Sequence, residues 1–257
     1  ERIYGVVGDS LNPVVDAVRT TEGIEWVHVR NEEAGAFAAG MQASKVIPTY
    51  KHFPGLGRVK DNTDTSAGVV DSTTTRSADT AVSVIFGAAI AAGATIWNDV
   101  NALGAPDALE TAASLGATVC LMHMKGEPRT MQDAPAYDDV AAEVEAFLLA
   151  RAAAAIGAGL SRSNIWIDPG IGFGKTRQHN LELLRSISAL AVHGFPVLIG
   201  ASRKRFIATI DEGSQADNRL GGSLAVALHA AANGAAILRV HDVRETVQAL
   251  KVAGAIE

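Results

Sequence analysis

From residue 79 onward the chain repeats one pattern. A helical stretch halts at glycine, and a short, almost unbroken apolar run follows. Helix 79–92 stops at Gly93 and leads to strand 94–100. Helix 105–115 stops at Gly116 and leads to strand 118–124. Helix 137–157 precedes strand 164–168, helix 179–192 stops near Gly194 before strand 196–202, and helix 217–233 stops at Gly234 before strand 235–241. A last helix spans 243–253. Glycine just past a periodic segment is a helix stop. Nearly continuous apolar strands separated by helices read as parallel strands covered by helices.

Upstream, Ile3–Val7 and Ile24–Val29 have the same strand character, with a helix near 12–20 between them, and either Val46–Tyr50 or Ala67–Val70 could add another strand. Eight strand–helix units in 257 residues match a TIM (β/α)8 barrel. A doubly wound open sheet is the alternative, but no Gly-x-Gly-x-x-Gly opens a helix after the first strand. The expected fold is therefore α/β, a barrel whose first two βα units are irregular or substituted. It forms a single domain over 1–257, with atypical units over 1–76 and the barrel core over 77–257. The segment 44–78 is polar and weakly periodic, which marks it as functional or as irregular structure.

Net charge is −6 and no polybasic tract is present, which argues against a nucleic-acid surface. Cys120 is the only cysteine. It lies in an apolar strand, so a buried, reduced thiol is expected rather than a nucleophile. No apolar stretch has the length of a membrane span, and the first residues carry no signal-peptide pattern. A cytoplasmic protein is the expectation.

Barrel function sits where strands end and βα loops begin. Asp79 opens a helix, where a helix cap competes with a ligand role. Strand 94–100 delivers Asn98 and Asp99, and strand 118–124 delivers His123, Met124 and Lys125. Strand 164–168 ends in Asp168 before a loop with Gly170, Gly172, Phe173, Gly174 and Lys175. Strand 196–202 ends in Ser202, Arg203 and Lys204, and strand 235–241 in Arg239 and His241. The charges are sorted. Asp79, Asn98 and Asp168 supply acceptors, which suit a donor-rich ring such as a 2-aminopyrimidinone edge. Arg203, Lys204, Arg239 and His241 supply cations, and the loops after the last two barrel strands are a usual phosphate site. Arg239 and His241, two apart on a strand, share one face. The glycines of 169–175 fit either a tight turn or close approach to a flat ligand beside Phe173. Trp97, Trp166 and Cys120 are assigned to the core.

Five strings resemble the dihydropteroate synthase family, in its order and at its spacing. They are Leu121-Met122-His123-Met124-Lys125-Gly126 with Thr130-Met131-Gln132; Asp168 to Lys175; Ser202-Arg203-Lys204; Arg219-Leu220-Gly221-Gly222-Ser223; and Arg239-Val240-His241-Asp242. The resemblance runs from about 77 to 257. It implies condensation of 6-hydroxymethyl-7,8-dihydropterin pyrophosphate with p-aminobenzoate, releasing pyrophosphate, in folate synthesis. It further implies that Asp79, Asn98 and Asp168 hold the pterin ring, that Met122 and Phe173 line it, and that Lys204 touches it. Arg239 and His241 would bind the pyrophosphate, and Ser202 would face the p-aminobenzoate. Lys204, Arg239 and His241 are the expected catalytic residues. Mg²⁺ is the expected cofactor, with no metal ligands assignable, and a homodimer through the last helices is the expected assembly.

The first 76 residues depart from that family. Its Asn-bearing first strand and its two loops over p-aminobenzoate are missing, which leaves a non-catalytic pterin- or phosphate-binding barrel as the second reading. Residues 1–43 instead resemble the start of a pyruvate-oxidase-type thiamine-diphosphate enzyme, through Gly5-Val6-Val7-Gly8-Asp9-Ser10-Leu11, Asn31-Glu32-Glu33 and Ala36-Phe37-Ala38-Ala39-Gly40. That resemblance implies that Glu32 would activate the thiamine ring, although no diphosphate-binding segment follows. Residues 45–76 resemble a family 3 glycoside hydrolase fragment, through Lys51 to Arg58 and Asn62-Thr63-Asp64-Thr65, where Lys51 and His52 would touch a sugar. No nucleophile and acid pair accompanies it. The expectation is a chimera of three pieces.

Overall fold

The computed structural model describes the strands near the N-terminus at 2–5, 25–28 and 49–50, then residues 90, 94–127 and 130–256. The expected helices 12–20 and most of 79–92, the strand candidate 67–70, and Glu32, Lys51, His52 and Asp79 lie outside the described residues.

The strands are β1 (Arg2–Gly5), β2 (Glu25–His28), β3 (Thr49–Tyr50), β4 (Ile96–Asp99), β5 (Thr118–Met122), β6 (Ile165–Asp168), β7 (Leu198–Ile199) and β8 (Ile237–Leu238). Strands β1 and β2 pair in parallel, Ile3 opposite Trp26. From β3 the order is sequential and parallel: β3 on β4, β4 on β5, β5 on β6. A bridge from Ile167 to Val197 carries the sheet to β7, which pairs with β8. Thr49 and Tyr50 thus supply the strand that sequence alone left between two candidates.

The helices are α1 (Ala108–Leu115), α2 (Val140–Gly157), α3 (Arg177–Arg185), α4 (Ile187–Ala191), α5 (Arg205–Ala208), α6 (Leu220–Ala232) and α7 (Val243–Ile256). Every successive pair of strands from β4 to β8 has helix between its members. Sequential parallel strands with helical crossovers form the wall of an α/β barrel. Asp139 starts α2 three residues later than the sequence pattern suggests, because its carboxylate caps the helix by accepting from the Ala142 N–H at 3.0 Å. The single helix expected over 179–192 is broken at Ser186. Its hydroxyl donates to the Leu183 carbonyl at 3.1 Å, a local bond that competes with helix continuation.

Strand alternation separates core from site. Trp97, Val119, Leu121, Ile165 and Ile167 face the main core. There they meet Val140, Val144, Leu148, Ala152 and Ala155, one buried stripe along α2. Their neighbours in each strand point the other way. On that second face the register sets Asn98 opposite Cys120, Cys120 opposite Trp166, and Met122 opposite Asp168. Cys120 is fully buried, as expected, and burial pushes its thiol pKa up. Trp166 is half-buried on the site face rather than in the main core.

Candidate active site

Asp168 is 1% exposed at the C-terminal end of β6. One carboxylate oxygen accepts from the Gly170 N–H at 2.8 Å. Burial raises its pKa, and Arg239, Lys204 and Lys175 oppose that rise through their charges. Two of the four cations expected from sequence, Arg239 and Lys204, are therefore within electrostatic reach of Asp168. Asn98, also 1% exposed, faces the same side two strands away, and its Oδ1 has no hydrogen-bond partner among the described residues. A buried acceptor without a donor is costly. An arriving N–H would relieve that cost.

Asp99, delivered by the same strand, is spent on its own loop. Its carboxylate accepts from the N–H groups of Asn101 at 3.0 Å and Leu103 at 2.7 Å. Burial raises its pKa to about 6 against those bonds and the charge of Arg151. Arg151 fastens the loop further, donating to the carbonyls of Ala102 and Leu103 at 2.7 Å each.

Met122 and Phe173 pack together with Val100 and Met131 in a small apolar cluster beside Asp168. The Lys204 ammonium lies 4.2 Å from the centre of the Phe173 ring, a cation–π contact. Phe173 thus connects the apolar wall to the cations.

The three glycines of 169–175 divide between two roles. A β-carbon on Gly170 would fall 1.9 Å from the His123 carbonyl oxygen, and one on Gly174 would fall 2.1 Å from that of Lys125. Both residues also have positive φ, 69° and 63°. They let the loop after β6 press against the loop after β5. Gly172 instead faces the stem of Lys204. Close loop packing thus explains two of the three.

Lys175 locks this arrangement. It is 3% exposed, and its ammonium donates to the Phe173 carbonyl at 2.9 Å and stands 3.0 Å from His123 Nδ1. Burial brings its pKa down to about 7. Burial, then the charge of Lys175, takes the His123 imidazole down to about 3. The buried neutral ring meets Phe147 edge-on. Sequence reasoning placed His123 at a strand end and Lys175 at the close of the loop after strand 164–168 but gave them no role; their signal was a cation closing a glycine-rich loop.

On the last two strands, Arg239 and His241 lie just past β8 rather than within it, because pairing covers only Ile237–Leu238. Each meets the matching residue beyond β7. The Arg239 guanidinium lies over Gly200, and His241 Nδ1 stands 3.1 Å from Ser202 Oγ. The half-buried Arg239 has its guanidinium within reach of Asp168, while His241 is exposed.

Arg203 differs from its sequence reading as a cation of the mouth. It is committed to Asp242, with Nε to Oδ2 at 3.1 Å and Nη2 to Oδ1 at 2.5 Å. That pairing raises the guanidinium pKa and lowers that of the Asp242 carboxyl.

Among the described residues, no three His, Cys, Asp or Glu side chains gather as a metal cage. No described helix is long and apolar enough to cross a membrane.

Two family models match separate stretches. The model for "Pterin binding enzyme" covers residues 63–241, beginning earlier than the resemblance read from about 77. The model for the N-terminal TPP-binding domain of thiamine pyrophosphate enzymes covers 1–46. Among curated relatives, the dihydropteroate synthase of Escherichia coli K12 is 45% identical over 176 residues, 68% of this chain and 62% of that protein. That of Neisseria meningitidis serogroup B is 48% identical over 181 residues, covering 68% and 64%. A crystal structure of the Yersinia pestis dihydropteroate synthase with a sulfonamide drug complex has a TM-score of 0.66 at 40% identity, covering 69% of this chain and 64% of that one. The Xanthomonas albilineans dihydropteroate synthase with 4-aminobenzoic acid has a TM-score of 0.64 at 46% identity, covering 68% and 64%. The chain thus spans less than two thirds of these relatives' length. With a match over most of its residues and the α/β barrel wall those relatives share, the chain belongs to the pterin-binding enzyme family.

Proposed function

We propose that this chain is a dihydropteroate synthase, joining 6-hydroxymethyl-7,8-dihydropterin pyrophosphate to p-aminobenzoate. The observation that carries the reading is the meeting of a buried carboxylate, Asp168, with Arg239 and Lys204 on the face that holds the unpartnered Asn98 acceptor. Asp168 and Asn98 would take the N–H edge of the pterin ring between the walls of Met122 and Phe173. Asp79 belongs to the same set by resemblance. Lys204 would touch the ring, while Arg239 and His241 would hold the pyrophosphate.

In the reaction the bond from the pterin methylene carbon to the pyrophosphate oxygen breaks, and the electron pair leaves with the pyrophosphate. Preorganised cations that meet this growing charge lower the barrier. The arylamine nitrogen then attacks the electron-poor carbon and gives up a proton. Ser202, held beside His241, would face the p-aminobenzoate. Mg²⁺ belongs to this proposal only as a companion of the pyrophosphate. The assembly we infer is a homodimer through α7, which exposes Val243, Val247, Val252 and Ile256; a monomeric mass in light scattering would reject it.

A second reading is favoured by one observation: the family match starts at residue 63 while residues 1–46 match a different family's model, which fits a chain whose first loops are not those of the synthase. The chain would then bind pterin and phosphate without turnover. Incorporation of labelled p-aminobenzoate in the presence of pterin pyrophosphate decides between the two. Product above background supports the synthase. Calorimetric binding of both pterin forms without product supports the binding barrel.

A further inference from the structure

We propose that Arg203 is a positioning residue, a clamp that fixes the turn between β7 and α5 so that Ser202 and Lys204 both face the mouth. The inference rests on the pterin-site reading above. Residues 201–204 form a turn closed from the Lys204 N–H to the Ala201 carbonyl at 3.4 Å. Its third residue, Arg203, has φ 58°, a conformation that glycine or asparagine ordinarily fills. Only surrounding contacts can hold an arginine there.

Those contacts come from every side. The Arg203 N–H donates to Ser223 Oγ at 2.9 Å. Its carbonyl accepts from Arg219 at 2.8 Å, and Arg219 also holds the Ser214 carbonyl at 2.9 and 2.7 Å. Ser223 donates in turn to the Arg219 carbonyl at 2.7 Å. The guanidinium grips Asp242 with two parallel bonds, the strongest geometry for this pair. Asp242 directly follows His241, whose ring meets Ser202. Arg203 therefore ties the β7 loop to the β8 loop and sets both neighbours of the turn at once. An arginine spent in this way is not an anion ligand.

The test compares Arg203→Ala, Arg203→Gly and Asp242→Asn by calorimetry, with pterin pyrophosphate and with the bare pterin. It adds hydrogen exchange at the Arg203 amide. Loss of the clamp with the strain retained, in Arg203→Ala, should weaken both ligands by about tenfold or more, one bidentate interaction's worth. Asp242→Asn should do the same. Arg203→Gly relieves the strain and should recover most of that affinity. Exchange at residue 203 should quicken in the alanine variant and slow again in the glycine variant, with or without ligand. Equal losses in Ala and Gly confined to the pyrophosphate form would make Arg203 a direct anion ligand and overturn the inference. So would wild-type binding and exchange in all three variants. If the parent chain binds no pterin while the exchange pattern holds, the synthase reading fails and the clamp stands.

Discussion

The Arg239 guanidinium lies across Gly200 so closely that a β-carbon there would fall 2.7 Å from Nη2 and 3.1 Å from Nε. The bare backbone of one strand end is the seat for the cation of the next. Gly200→Ala should leave the fold intact, since a flexible tip can swing away, but it should move the guanidinium off its seat. Affinity for pterin pyrophosphate should fall by about tenfold to a hundredfold, as expected for loss of a charge-assisted bond worth about 1.5–3 kcal/mol. Bare pterin should bind nearly as before. Calorimetry with both ligands checks this.

Asn98 should show opposite effects on stability and binding. Its buried Oδ1 has no donor among the described residues, and leaving a buried acceptor unsatisfied costs about 1–3 kcal/mol. Asn98→Leu, of similar volume, should unfold at equal or higher urea while losing pterin affinity. A lower unfolding midpoint would contradict the assignment of Asn98 as an acceptor waiting for a ligand.

Two glycines should respond in opposite directions. Gly170→Ala sets a β-carbon against the His123 carbonyl at positive φ, and should destabilise the chain by more than the roughly 1–2 kcal/mol that left-handed backbone alone costs. Gly254, inside α7, has nothing within 4 Å of its β-carbon position. Gly254→Ala should stabilise by roughly 0.5–1 kcal/mol. Urea midpoints of the two variants report both signs.

Stability should also depend on pH through the pair beneath the glycine loop. The folded His123 pKa is down at about 3 from 6.5, so the unfolded chain binds the extra proton between those values. Stability is lost as pH falls from about 6.5 towards 3. Lys175 is down at about 7 from 10.5, so stability rises as pH climbs from about 7 towards 10.5 and is flat in this group below 7. Lys175→Met should flatten that alkaline limb in a series of urea titrations. An unchanged slope would mean that the ammonium is not buried as described.

Much of the architecture was legible because the barrel repeats one physical unit. Apolar runs such as Thr118–Met122 and Ile165–Asp168 declare buried parallel strands, and Gly116 declares where α1 stops. Boundaries were less legible. The cap at Asp139 and the break at Ser186 depend on side-chain bonds to nearby backbone, which period alone does not reveal. At the site, Asn98, Asp168, Ser202, Lys204, Arg239 and His241 stand out in the sequence because they sit at successive strand ends, whereas Met122 enters through the family resemblance and Phe173 as part of the loop after strand 164–168. Arg203 reads from sequence as an open cation because its partner, Asp242, is far away in sequence. The pairing of Lys175 with His123 carries no signal in sequence because it also spans distant positions.

The central claim is that one mouth holds a pterin ring through Asp168 and its diphosphate through Arg239. The most direct measurement is calorimetric titration of Asp168→Asn and Arg239→Ala, singly and together, with bare pterin and with pterin pyrophosphate. The account predicts that Asp168→Asn weakens both ligands, while Arg239→Ala removes only the extra affinity of the pyrophosphate form. Full pyrophosphate-form affinity in Asp168→Asn, with complete loss in Arg239→Ala, would contradict it.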